Sequence, residues 1–100
     1  METEIILHAP DFSDAMKTSL HGYVEKNLSG KLDSYIKKHE KPNSPVRVEL
    51  TVKTEKDKEY QGKIILSVGS KSYRSERENF SKLDDLVNHL FTHVKDQMAK

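Results

Sequence analysis

Residues 46–68 read VRVELTVKTEKDKEYQGKIILSV, and their pattern decides the fold. Val46, Val48, Leu50 and Val52 alternate with Arg47, Glu49, Thr51 and Lys53, the period of a strand with one face buried and one wet. Lys56–Glu59 is a charged turn. Tyr60, Gly62, Ile64, Leu66 and Val68 then repeat the alternation. Two such runs either side of a short turn describe an antiparallel pair.

Working outward, Gly69-Ser70 supplies a second tight turn into Lys71–Arg77, a polar run with only Tyr73 apolar. That composition suits a sheet edge, where charge discourages pairing with other chains. Phe80, Leu83, Leu86, Val87, Leu90, Phe91, Val94 and Met98 follow at helical spacing, with Asn79 as the expected N-cap. On the other side, His39–Pro45 is a polar loop with two prolines. Before it, Met16, Leu20, Tyr23, Val24, Leu28, Leu32, Tyr35 and Ile36 draw one apolar stripe along a helix from the Ser13 cap to about Lys38. Gly30 marks a bend in that helix. Thr3–Ala9 is a first strand closed by Pro10-Asp11. The order β-α-β-β-β-α predicts an α+β domain over residues 1–100, two helices packed on one face of a four-stranded sheet.

Composition narrows the function classes. With 100 residues there is room for one modest core, and no cysteine excludes a disulfide framework, a thiolate metal cluster and a cysteine nucleophile. The longest apolar run, Ile64-Ile65-Leu66, is far short of the ~20 residues that cross a bilayer. Glu2 and Glu4 stand where a secretory signal carries basic residues, so a cytoplasmic protein without membrane contact is expected. No G-x-S-x-G elbow and no glycine-rich phosphate loop occur, so no enzyme, cofactor or small-molecule substrate is expected. His89 and His93 lie four apart on the last helix but lack a third ligand, and read as solvated side chains flanking the core stripe. Asp84-Asp85 suit the start of a helix better than paired catalysis.

The net charge of +1 hides an uneven distribution. Residues 17–38 carry Lys17, Lys26, Lys31, Lys37 and Lys38 against Glu25 and Asp33, a local +3. Residues 53–77 also sum to +3, while 79–100 sum to zero. A stripe of lysines can bind RNA phosphates on a nearly neutral protein, although wet helix faces carry lysines for solubility alone.

Two further stretches carry a resemblance. Lys31-Leu32-Asp33-Ser34-Tyr35-Ile36 at the end of the first helix, and Glu78-Asn79-Phe80-Ser81-Lys82-Leu83-Asp84-Asp85-Leu86 into the last, resemble the corresponding motifs of the ribosome hibernation factors. These are also called ribosome-associated inhibitors or sigma-factor modulators, and the resemblance covers the whole chain in their short form. It implies a translation inhibitor active under stress. Basic helix residues would occupy the mRNA and tRNA channel of the small ribosomal subunit and meet its rRNA. The resemblance matches Lys31 and Lys17 to family positions; Lys26, Lys37 and Lys38 extend the same helix, Arg74 and Arg77 lie near the entry to the last one, and Lys82 opens it. The chain departs from the family at His89, Thr92 and Asp96, where basic residues are usual. That departure raises the alternative of a protein-interaction module on the same scaffold, and of binding that strengthens when His89 and His93 are protonated near pH 6.

Overall fold

The computed structural model describes residues 3–35 and 45–99. Strand β1 (Thr3–His8) is followed by helix α1 (Asp14–Asn27) and a π-helical turn (Leu28–Leu32), then β2 (Val46–Thr54), β3 (Tyr60–Val68), β4 (Lys71–Phe80) and helix α2 (Leu83–Met98). The strands lie side by side in the order β1-β2-β3-β4. β1 runs parallel to β2, joined through the α1 crossover, and the other two pairings are antiparallel. This is the α+β arrangement expected, with both helices on one face of the sheet.

The alternation in 46–68 sorts the two faces. Val46, Val48, Leu50 and Val52 are buried beside Ile64, Leu66 and Val68, forming the floor on which the helices sit. α2 buries Leu86, Val87, Leu90, Phe91, Val94 and Met98 against it. Each such side chain is worth about 1.5–3 kcal/mol on burial, so α2 anchors the fold. It can seat closely because of Gly62: a Cβ there would lie 3.1 Å from both Leu86 Cδ2 and Leu90 Cδ1. Helix α1 buries only Leu20, Val24 and Asn27. Its start is as expected, with Ser13 Oγ accepting from the Met16 N–H at 3.2 Å.

Two expectations are corrected. Asn79 does not cap the last helix. β4 runs on to Phe80, which pairs with Tyr60, and Asn79 takes a left-handed φ of 65° in an irregular stretch of the β3–β4 ladder. Asparagine tolerates that conformation, and the apolar Phe80 draws the strand onward. The helix begins at Leu83 behind Lys82, which makes no side-chain cap bond. The first helix is not a uniform α-helix either. Around the expected bend at Gly30 its turns widen over Leu28–Leu32, while Ser29 Oγ donates to the carbonyls of Glu25 at 3.1 Å and Lys26 at 3.3 Å. A widened turn takes up one extra residue. It keeps Leu32 buried in the stripe begun by Leu20 and Val24. The expected continuation to Lys38 lies outside the described residues beyond Tyr35.

Candidate nucleic-acid interface

The helical side carries most of the cations that the sequence singled out. Lys17 sits in the first turn of α1 and Lys26 in its last, both exposed. Nine residues at 100° each is about 900°, so the two point to opposite sides of the helix. Lys17 lies on the side of His21 and Glu25, which line a shallow groove with Thr3 and Ile5 of β1. Lys26 lies on the other side, one residue before Asn27, which meets α2. The lysines of α1 therefore form two groups and not one stripe.

The seam is built around Asn27. Its buried amide donates to the Tyr23 carbonyl at 2.8 Å and to Asn88 Oδ1 on α2 at 3.0 Å. One turn further, the π-helical turn presents Lys31 to the same stretch of α2. Its Nζ donates to the Asn88 carbonyl at 3.2 Å and to Thr92 Oγ1 at 3.1 Å. Partial burial, and secondly the charge of Lys95, hold the Lys31 ammonium below its usual pKa. The charge of Lys95 on α2 thus reaches Lys31, and neither lysine forms an ion pair among the described residues. An anionic ligand placed there would relieve their repulsion.

The remaining basic candidates are dispersed. Lys82 is exposed at the entry to α2. Arg74 sits opposite Ile65 on β4, on the face of the sheet away from the helices. Arg77 is exposed opposite Gly62, and its Nη1 donates to the Glu76 carbonyl at 2.7 Å. Lys37 and Lys38 lie outside the described residues. Lys95 was not singled out from the sequence; its signal was a lysine one turn beyond Phe91 in the half-buried flank of α2.

Pairing differs between the two faces, although Lys53 and Arg74 on the sheet also form no ion pair among the described residues. On the open face of the sheet, Arg47 Nε lies 3.4 Å from Glu4 Oε1 and Lys63 Nζ lies 3.9 Å from Glu76 Oε1. No ion pair among the described residues involves Lys17, Lys26, Lys31, Lys82 or Lys95. The histidines of α2 are not two solvated neighbours, as expected from the sequence. His93 Nδ1 is 2.8 Å from Ser75 Oγ of β4, a residue only 3% exposed. His89 stays exposed, its Nδ1–H donating to the Asp85 carbonyl at 2.8 Å, with its ring 4.9 Å from that of Phe80. Among the described residues no three His, Cys, Asp or Glu side chains group as a metal site, and no helix is long and apolar enough to cross a membrane.

No family model and no curated protein matches the chain. Among solved structures it is similar to the N-terminal domain of Thermus thermophilus Protein Y, with a TM-score of 0.69 and 18% identity over 98% of this chain and 96% of that one. The chain has the fold of that domain, the one its sequence resemblance to the hibernation factors implied.

Proposed function

We propose that this chain is a non-catalytic ribosome-binding module that restrains translation, docking on the small subunit in the mRNA and tRNA channel through its helical side. The whole-chain likeness to the Protein Y N-terminal domain supports the hibernation reading. The observation that carries the choice of surface is the pairing contrast. Lys31 sits in the α1–α2 seam within reach of the Lys95 charge, Lys26 lies in the last turn of α1 before it, and none of the three forms an ion pair among the described residues, whereas Arg47 and Lys63 on the sheet are paired. Unpaired cations release most counterion on meeting phosphate, which makes such binding sequence-tolerant and salt-sensitive. Lys17, Lys82 and Arg77 are exposed and serve as outlying contacts. Arg74, on the opposite face, is the weakest member of the set, and Lys37 and Lys38 extend the α1 group in sequence.

The solvent side of α2 favours a second reading. Asp84, Asp85, Asn88, His89, Thr92 and Asp96 are all exposed there, a surface better suited to a protein than to RNA. Co-sedimentation with purified small subunits at low and near-physiological salt separates the two. Stoichiometric binding that weakens as salt rises supports the ribosomal reading. No association at either salt leaves the protein-interaction module.

A further inference from the structure

The two edges of the sheet differ in how they are protected. β4 carries Lys71, Arg74, Glu76, Arg77 and Glu78 and is interrupted near Asn79, where the left-handed residue breaks the ladder register. These are the usual devices that keep an edge from pairing. β1 has fewer of them, its only ionisable side chains being Glu4 and His8 near its ends. Its interior is Ile5-Ile6-Leu7, its register with β2 is unbroken, and it holds no lysine, proline or bulge. Among the described residues its backbone hydrogen bonds run to β2 alone, leaving the outer edge unpaired.

The sequence of that edge is complementary to itself. When one edge meets its own copy antiparallel, opposed residues must share a face of the sheet, so the two-fold axis passes through a residue and not between two. An axis at Ile5 would set Glu4 against Ile6. An axis at Leu7 would set Ile6 against His8. An axis at Ile6 sets Ile6 against Ile6, Ile5 against Leu7, and Glu4 of each copy against His8 of the other. In that register every apolar residue meets an apolar one and the carboxylate meets an imidazole. Both polar ends are already oriented within the open sheet face, Glu4 by Arg47 at 3.4 Å and His8 by Glu49 at 3.6 Å. On the helical side, Ile5 lies half-buried in the groove lined by Thr3, His21, Glu25 and Leu28, which leaves space above it for Leu7 of the second copy.

We infer that β1 is a self-association edge, through which two copies of this chain pair antiparallel about Ile6 to form one continuous eight-stranded sheet. A six-residue edge makes a small interface, so the dimer forms and dissociates with concentration. It leaves α2 and the β4 edge, at the far end of the sheet, uncovered.

Sedimentation velocity from about 10 μM to about 1 mM tests this, with a dimer fraction that rises across the range. Ile6→Lys puts two ammonium groups on the axis and leaves the chain monomeric throughout. Ser67→Lys, on the same sheet face but two strands inward, leaves the dimer unchanged. Far-UV circular dichroism shows that each variant is folded. Because the chain has no cysteine, single substitutions report the register directly. Ile6→Cys cross-links on its own under mild oxidation, whereas Glu4→Cys and His8→Cys cross-link efficiently only when mixed. A wild-type chain that stays monomeric at every concentration overturns the inference. So does an Ile6→Lys dimer of wild-type strength, or Glu4→Cys coupling to itself as readily as Ile6→Cys.

Discussion

The helical side and the open face of the sheet both carry lysine and arginine, but among the described residues these form ion pairs only on the sheet, at Arg47 and Lys63, while Lys53 and Arg74 there form none. On the sheet, strand register sets Arg47 beside Glu4 and Lys63 beside Glu76, so cross-strand neighbours neutralise each other. On the helices, Lys31 in the seam feels the charge of Lys95, and neither forms an ion pair among the described residues. A charge sum over residues gives both regions a positive sign. Only the packing shows which of those charges remain for a partner, and a phosphate surface is recognised by the latter.

The largest effect is expected at the seam itself. Asn27→Ala removes the buried amide that joins Tyr23 of α1 to Asn88 of α2, and should lower stability by about 1–3 kcal/mol in chemical denaturation. If the seam orders the lysines, the same variant also weakens small-subunit binding at temperatures where it remains folded. The charges come next. Lys26→Gln with Lys31→Gln should lower affinity about tenfold at near-physiological salt and reduce the slope of log affinity against log salt by about 1.5–2. Glutamine at residue 31 keeps a donor for the Asn88 carbonyl, so the fold is not at issue.

The sheet face supplies the smaller effects. Arg47→Gln with Lys63→Gln should leave binding unchanged and alter stability by less than about 1 kcal/mol, because both pairs are exposed. The smallest effect sharpens the contrast without a ligand. Lys95→Gln should raise the Lys31 pKa part of the way back toward 10.5, since burial, the larger cause, remains; an NMR titration of the Lys31 side chain reads this. For a lysine whose folded pKa is lowered, the unfolded chain binds more protons between the two values. Stability therefore rises with pH through that window, and the rise is smaller in Lys95→Gln.

Much of the fold was legible because its signals were local. The alternation in 46–68 placed two strands, the spacing from Leu83 to Met98 placed α2 although Phe80, counted with it, belongs to β4, and Ser13 stood where its hydroxyl is used. What misled was residue chemistry with two uses. Asn79 is as good an N-cap as it is a left-handed residue, and only the pairing of Phe80 with Tyr60 decides between them. The interface was less legible. Gly30 signalled a disturbance in the first helix, but not that a widened turn would aim Lys31 at α2. Nor could spacing show that the charge of Lys95 acts on Lys31, because that interaction joins residues 64 apart in the chain. The lysine pattern in 17–38 suggested one stripe; helical phase divides Lys17 from Lys26.

The central claim is that the helical side, and not the sheet, meets ribosomal phosphate. Amine-reactive footprinting of the chain bound to small subunits, read by mass spectrometry, tests it lysine by lysine. Lys26, Lys31 and Lys95 should be protected, and Lys53 and Lys63 should react as in the free protein. Protection of Lys53 and Lys63 with Lys26 and Lys95 left reactive would contradict it.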